Sequence, residues 1–257
     1  MDYRPMFAET APKPFDSLAY IFEPKWDGYR ALFYTQEKRL ISRTGKSLSG
    51  FFPHLEAVEL KRAVIDGELV CLHAGRPSFS SLKQNPQSAV LMAFDLLSLE
   101  GEDICHKPLE LRRKILEDLV FGQSLLGFSP SYAEGLKLFE ALSKAGWEGV
   151  MAKRKGSIYR PGKRSRDWLK VVVYKHIEVV VMEFWPQKGS ALLGLYQGDN
   201  LKPIGRVFLG SKINLVKTLQ VVEIRFREFT GGALRHPTVV RFRDDKNPKE
   251  CTYDQLL

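Results

Sequence analysis

Glu23-Pro24-Lys25-Trp26-Asp27-Gly28-Tyr29-Arg30 sets one lysine beside a proline, a large aromatic and an acid, and a glycine then turns the chain into the run Tyr29–Tyr34. A surface lysine needs none of this. A lysine that acts as a nucleophile must be held still and must shed a proton. An ammonium of ordinary pKa, ~10.4, is almost never neutral at pH 7. Burial and neighbouring cations lower such a pKa. Taken alone, the octet also fits a loop lysine paired with an aspartate, so the rest of the chain must supply the other groups that a nucleophile requires.

Outward from the octet, Tyr29–Tyr34 and Arg39–Arg43 read as strands, with a turn at Thr44-Gly45-Lys46-Ser47. Residues 1–22, with Pro5, Pro12 and Pro14, read as an irregular arm. Phe51–Lys61 reads as a short helix. Ala63–Leu72 reads as a hydrophobic strand interrupted by an acidic turn, Asp66-Gly67-Glu68. Val90–Leu97 is apolar apart from Asp95, as in a buried strand. Leu109–Val120 and Tyr132–Ala145 read as helices, the second capped by Ser131 and ended by Gly146. Trp147–Arg154 is a strand with an acid at one end and bases at the other. Ser157–Arg166 is a basic loop, and Trp168–Tyr174 is another strand.

Beyond about residue 174 short strands dominate. His176–Phe184 pairs with Ala191–Tyr196, Ile204–Leu209 follows a turn, and Ile213–Gln220 reads as a short helix; Val222, Ile224 and Phe226 alternate with Glu223, Arg225 and Arg227 as a strand, and Thr238–Arg243 closes the pattern. About five short strands and one helix in ~80 residues fit a small OB-type barrel. The expected boundary lies at Val173–His176, giving domains 1–173 and 174–257.

A chain of 257 residues with 44% hydrophobic and 27% charged side chains has ample material for two cores. No apolar run approaches the ~20 residues of a membrane span, and no signal-peptide core follows Met1, so the expectation is a cytoplasmic protein. The three cysteines, Cys71, Cys105 and Cys251, are far apart and match no disulfide or zinc spacing. The net charge of +9 favours a polyanionic partner, with nucleic acid first.

Several charges interrupt strand patterns: Arg43, Glu68, Glu148 and Lys170. A charge beside buried surface is costly unless it is paired or meets a ligand. A set of them at strand ends suggests a shared cleft with anionic and cationic sides. Nucleotidyl transfer needs this set. The lysine attacks an α-phosphorus, acids hold a divalent metal or a ribose, cations neutralise phosphoryl oxygens, and an aromatic such as Phe94 stacks on a base. No phosphate-binding loop of the Gly-x-x-x-x-Gly-Lys-Ser/Thr type and no Gly-x-Gly-x-x-Gly run is present.

The ordered segments closely resemble the covalent nucleotidyltransferase superfamily, and within it the ATP-dependent DNA ligases. Lys25-Trp26-Asp27-Gly28-Tyr29-Arg30 is similar to the first family motif, Ser42-Arg43-Thr44-Gly45 to the next, Asp66-Gly67-Glu68 to motif III and Phe94-Asp95 to motif IIIa. Glu148–Arg154 resembles motif IV, Trp168-Leu169-Lys170 motif V, and Arg243-Asp244-Asp245-Lys246 motif VI. Leu234-Arg235-His236-Pro237 resembles the lead-in found in bacterial end-joining ligases.

The resemblance implies an α+β fold: a nucleotidyltransferase (ATP-grasp-like adenylation) domain of antiparallel sheets with flanking helices, then an OB-fold β-barrel. It implies ATP and Mg²⁺ or Mn²⁺ as cofactors. Lys25 forms lysyl-AMP, Glu23 reads the adenine edge and Phe94 stacks on the ring. Arg30 and Arg43 contact the nick or its 5′-phosphate, and Glu68 and Glu148 hold ribose and metal. Lys170 and Lys153 meet the α-phosphate, and Arg243 and Lys246 orient pyrophosphate when the second domain closes. The second domain then swings away about a hinge at Val173–His176. The basic loop, Arg160, Lys163, Arg164 and Arg166, is expected on the DNA backbone. Nicked duplex DNA is the implied partner, with a Ku-type end-binding protein as a further one and a monomer as the expected state.

One departure stands out. Motif V usually carries Lys-x-Lys, and the second position here is Val172, with Lys175 the next lysine. The neighbouring alternatives are an RNA ligase or an mRNA-capping guanylyltransferase of the same superfamily. A non-catalytic OB protein explains the charge but not Lys25, Glu68, Glu148 and Lys170 together. Asp27 and Asp66 can also be read as turn braces, Phe94, Trp26 and Trp168 as packing, and Asp95, Asp244 and Asp245 as partners of nearby arginines.

Overall fold

The computed structural model describes residues 2–210, 214 and 216–256. The chain divides into two compact units, Met1–Val172 and Val173–Leu257.

In the first unit, β1 (Phe7–Thr10), β2 (Tyr20–Pro24), β3 (Tyr29–Tyr34), β4 (Arg39–Ser42) and β5 (Ala63–Val70) lead to a small hairpin of β6 (Leu72–His73) and β7 (Arg76–Pro77). Then come α1 (Phe79–Gln84), β8 (Val90–Leu99), β9 (Glu102–Asp103), α2 (Leu109–Val120), β10 (Leu126–Phe128), α3 (Gly135–Lys144), β11 (Gly149–Arg154) and β12 (Arg164–Val172). One sheet has the order β1-β12-β11-β2, and the other β10-β8-β5-β3-β4 with β9 beside β8. Pairing is antiparallel except at β1–β12 and β10–β8, which are parallel.

Side-chain alternation builds three layers of core. Along β3, Ala31 and Phe33 join Leu40, Leu91 and Leu116 beneath the helices, whereas Leu32 and Tyr34 point the other way to Leu97, Tyr159 and Trp168 of the intersheet core. Phe22, Val150 and Ala152 of the first sheet pack Leu142 of α3 on its outer side. Successive strand residues face opposite sides, so strands covered on both faces read as nearly continuous apolar runs.

The second unit holds β13 (Lys175–Trp185), β14 (Ser190–Gln197), β15 (Asn200–Phe208), β16 (Val221–Phe226), β17 (Glu228–Thr230), β18 (Ala233–Arg235) and β19 (Thr238–Arg243). Its antiparallel sheet has the order β15-β14-β13-β16-β19, and β17 and β18 form a separate hairpin. Val179, Val181, Leu193, Ile204, Val222 and Ile224 fill its own core. Of the expected pairing of His176–Phe184 with Ala191–Tyr196, the part from Val180–Phe184 against Ala191–Gly194 is present, while His176–Val179 lie against β16. The helix expected over Ile213–Gln220 lies partly outside the described residues.

Five expectations are corrected. Phe51–Lys61 is not a helix but carries 3₁₀ turns at Ser49–Phe51 and Pro53–Ala57, since Pro53 has no N–H with which to continue the preceding turn. Ser131 does not cap α3: Tyr132 is bridged to Phe22 of β2, and the helix begins at Gly135 behind Glu134. The N-terminal arm contains a strand, because Phe7–Thr10 finds a parallel partner in β12 and Met6 is fully buried. Asp66-Gly67-Glu68 is not a turn but lies within the continuous β5, and the basic loop already becomes strand at Arg164.

All three cysteines are free and buried. Among the described residues, no helix is long and apolar enough to cross a membrane.

Candidate active site

Lys25 sits where the chain leaves one sheet of the first unit for the other. β2 pairs with β11, with Glu23 opposite Met151 and Pro24 opposite Val150, and the Lys25 N–H then donates to the Gly149 carbonyl at 2.9 Å. Two glycines make the crossing possible. A Cβ on Gly28 would lie 1.9 Å from the Leu69 carbonyl oxygen. Gly149 has φ +143° and a Cβ there would lie 2.0 Å from the Val171 oxygen. Only glycine tolerates such backbone approaches. The Lys25 ammonium meets the Glu148 carboxylate at 2.5 Å, and the Glu148 side chain is only 6% exposed.

Around Lys25 lies a cavity of about 180 Å³. Of the side chains expected to act, Glu23, Arg30, Arg43, Glu68, Phe94, Lys153, Arg164 and Lys170 line it together with Lys25 itself. Burial raises the Glu68 carboxyl to about 8 against the pull of Lys25 and Arg30, and the neighbouring Glu148 and Asp66 add to the rise. Burial lowers the Lys170 ammonium, and the adjacent Lys25 and Arg164 cations lower it further. The cavity thus sets two acids against several cations within a short reach of one lysine.

Its floor is aromatic and cationic. The Arg30 guanidinium lies 5.4 Å from the Phe94 ring centre and 5.5 Å from that of Trp168. It is held by Asp66 through two hydrogen bonds, at 3.0 and 2.6 Å. The Tyr159 hydroxyl donates to the same carboxylate at 2.6 Å and accepts from the Met6 N–H at 2.8 Å. Asp66 is therefore the anchor of Arg30 rather than a turn brace. Lys153 is 1% exposed, donates to the Phe94 carbonyl at 2.9 Å, and is pushed toward its neutral form chiefly by burial. Glu23 receives Arg113 at 2.6 Å and Lys153 at 2.9 Å on one carboxylate oxygen. Trp26 and Trp168 both line the cavity, and Trp168, at 1% exposure, also packs in the intersheet core.

Other expected residues lie elsewhere. Arg160, Lys163 and Arg166 are exposed; Arg160 reaches Asp167 and Arg166 reaches Glu9, each at 3.3 Å. Arg243 and Lys246 belong to the second unit. Both bond the Glu178 carboxylate, and Asp245 holds the other edge of Arg243 at 2.8 and 2.9 Å. Asp244 accepts from Gln220 at 2.8 Å. Lys175 opens β13 in the second unit and is exposed.

Sequence reasoning missed Arg112, Arg113, Ser129 and Tyr159. A signal existed for the arginines: the buried positions of α2 are Leu109, Arg112, Arg113, Leu116 and Val120, an i, i+3, i+4, i+7 stripe. Asp95 is indeed an arginine's partner, bound by Arg112 at 2.7 and 2.9 Å with both side chains fully buried.

No group of three or more His, Cys, Asp or Glu side chains suited to a metal ion occurs among the described residues. Two carboxylates beside Lys25 still fit Mg²⁺. That ion binds through one or two carboxylates and completes its shell with phosphate oxygens and water.

Residues 5–171 match the family described as the ATP dependent DNA ligase domain. The chain belongs to the ATP-dependent DNA ligases. It is 31% identical, over 98% of its length, to the multifunctional non-homologous end joining protein LigD of Mycolicibacterium smegmatis. It spans 40% of that relative's length. It is 28% identical to DNA ligase C1 of the same organism, covering 98% of this chain and 93% of that one. Among solved structures, a mycobacterial DNA ligase D complexed with ATP and MES aligns with a TM-score of 0.64 and 31% identity, over 97% of this chain and 98% of that one. The mostly-sheet architecture with few helices is thus that of DNA ligase nucleotidyltransferase domains, and the Lys25 cavity lies inside the stretch that matches the ligase family.

Proposed function

We propose that this chain seals 5′-phosphate/3′-hydroxyl nicks in duplex DNA with ATP, through an adenylate on Lys25. The observation that carries the reading is the Lys25 ammonium against Glu148 at 2.5 Å, inside a cavity that also presents Glu68, Lys170, Arg43 and Phe94. The first unit is the adenylation domain and the second an OB-fold domain.

In the first step the Lys25 amine attacks the α-phosphorus of ATP. A P–N bond forms, the bond to the β-phosphate oxygen breaks, and pyrophosphate leaves. Glu148 is the carboxylate within reach of the proton that the amine must lose. Lys170 stands beside Lys25 to offset charge on the α-phosphoryl oxygens. Phe94 stacks on adenine, and Glu23 and Lys153 meet its polar edge. Arg243 and Lys246 of the OB unit orient the departing pyrophosphate.

In the second step an oxygen of the nick's 5′-phosphate takes the adenylyl group from Lys25, breaking the P–N bond. In the third the 3′-hydroxyl attacks that phosphate, forming the phosphodiester and releasing AMP. Arg43 and Arg164, both at the cavity, hold the 5′-phosphate. Arg160, Lys163 and Arg166 contact the backbone farther out. Arg30 has two of its nitrogens committed to Asp66, so it serves as a fixed cation beneath the site. Mg²⁺ held by Glu68 and Glu148 supplies Lewis-acid stabilisation of the phosphoryl charge when bound. The LigD relatives, named for non-homologous end joining, support a role in end joining; a cytoplasmic location and a Ku-type end-binding partner belong to the same proposal.

The test is incubation with α-labelled ATP and Mg²⁺, in parallel with α-labelled GTP, followed by denaturing electrophoresis and then sealing of nicked DNA and RNA–DNA duplexes. A band with ATP, lost in Lys25→Ala, and sealing of nicked DNA are expected. A band with GTP only would place the chain with capping enzymes. Sealing only where RNA carries the 3′-hydroxyl would place it with RNA ligases.

A further inference from the structure

Behind the aromatic floor of the cavity a single buried carboxylate is shared by two buried cations. Glu23 is 1% exposed, Lys153 1% and Arg113 5%. One Glu23 oxygen accepts from Arg113 Nη1 at 2.6 Å and faces the Lys153 ammonium at 2.9 Å. The other accepts from the Ser129 hydroxyl at 3.2 Å. Arg113 Nη2 donates to the Ser129 carbonyl at 2.9 Å, and the Ser129 N–H donates to the Ala93 carbonyl, one residue before Phe94, at 2.8 Å. Glu23 and Lys153 line the cavity, and Arg113 does not.

The arginine thus reaches from α2, across 90 residues of sequence, to fix both the carboxylate and the strand that carries the stacking ring. Its neighbour Arg112 does something different. It is fully buried, binds Asp95 with two hydrogen bonds, and donates to the Lys107 and Ser157 carbonyls. None of those partners lines the cavity, so Arg112 ties the fold together behind it.

We infer that Arg113 is a specificity-determining positioning residue, which holds Glu23 and Lys153 in the one arrangement that reads the polar edge of adenine. This rests on the proposed role of Glu23 at the base. Two cations on one carboxylate leave Glu23 no freedom to turn, and they divide its charge. Without Arg113, Lys153 and Glu23 make a closed one-to-one pair, and neither presents a fixed group to the base. A site built to hydrogen-bond a polar edge discriminates strongly only while its groups are pre-placed.

The test uses the full chain with Arg113→Met, Arg113→Lys, Ser129→Ala and Glu23→Ala, reading self-adenylation by α-labelled ATP against unlabelled GTP as competitor, with melting temperature alongside. For Arg113→Met the apparent KM for ATP should rise about tenfold or more and the preference for ATP over GTP should fall by a similar factor, while the rate at saturating ATP stays within about threefold. Arg113→Lys keeps the charge but cannot bridge Glu23 and the Ser129 carbonyl together, so it should restore part of the preference. Ser129→Ala should shift the preference in the same direction by less, which keeps the test open if Arg113→Met fails to fold.

A lowered melting temperature with KM and preference unchanged in both Arg113→Lys and Ser129→Ala would make Arg113 structural only and overturn the inference. If Glu23→Ala leaves the preference intact, the base-reading role of Glu23 fails, and the inference with it. If Glu23→Ala destroys the preference and the Arg113 variants do not, the inference alone fails.

Discussion

In the proposed reaction Lys25 and its partner Glu148 are the residue pair on which the chemistry turns. Lys25→Ala should abolish labelling by α-labelled ATP while leaving thermal unfolding close to that of the parent, because the side chain lines a cavity rather than a core. Residual labelling of that variant would remove Lys25 from the mechanism. Among the motif VI cations the informative residue is one that the motif does not contain. Glu178 takes both Arg243 and Lys246, and Asp245 takes what remains of Arg243. In the proposed reaction pyrophosphate has to compete with those carboxylates. Glu178→Gln should therefore speed adenylation at low ATP by about threefold to fivefold, the scale of a partly exposed ion pair, and the gain should shrink as salt is raised. Slower adenylation at every ATP concentration would mean that Glu178 aligns the cations instead of occupying them.

At the scale of elements, the strands were legible wherever a period of two or an apolar run had turn residues at its ends. Tyr29–Tyr34 and Thr238–Arg243 coincide with β3 and β19, and Leu109–Val120 with α2. Elements that depend on distant partners were not legible. β1 exists because β12 lies beside it, and α3 starts late because Tyr132 is bonded to Phe22. The cavity residues carried by motifs were visible as charges that no strand should tolerate. Their supports were not, since Arg112 and Arg113 look like the polar side of a surface helix until the buried stripe is counted through them. The motif glycines can be tested as parts of elements. Gly149→Ala places a Cβ 2.0 Å from the Val171 oxygen at a φ of +143°, between β11 and β12. It should cost about 3 kcal/mol or more in denaturant unfolding. Gly50→Ala, where nothing lies within 4 Å, should change stability little. Equal stability of the two variants would show that the β11–β12 pairing yields easily, and that Gly149 has another task.

Across the whole molecule the formal charge is +9, from 39 lysines and arginines against 30 acids, and this excess bears on how nicked DNA is held. The cations divide into two classes. Arg43, Lys170 and Arg164 line the cavity, where the proposed reaction brings the phosphates. Arg160, Lys163 and Arg166 are exposed on one segment, and two of them rest on carboxylates, Asp167 and Glu9, at 3.3 Å. Exposed pairs of that length are weak, so a phosphate can replace the carboxylate at small cost. Each replacement releases about 0.9 counterion, and log affinity falls with log salt in proportion to the number of phosphates met. Replacing Arg160, Lys163 and Arg166 together by Ala should therefore flatten the salt dependence of binding to a nicked duplex by about two to three units of slope. Sealing at saturating DNA should hardly change, because none of the three reaches the cavity. Arg164→Ala should do the reverse, with a slope loss near one and a large fall in sealing at saturation. Fluorescence anisotropy across a salt series, paired with single-turnover sealing, separates the two classes. A triple variant that keeps the full slope would show that the DNA runs over another face, and that these three charges answer only to Asp167 and Glu9.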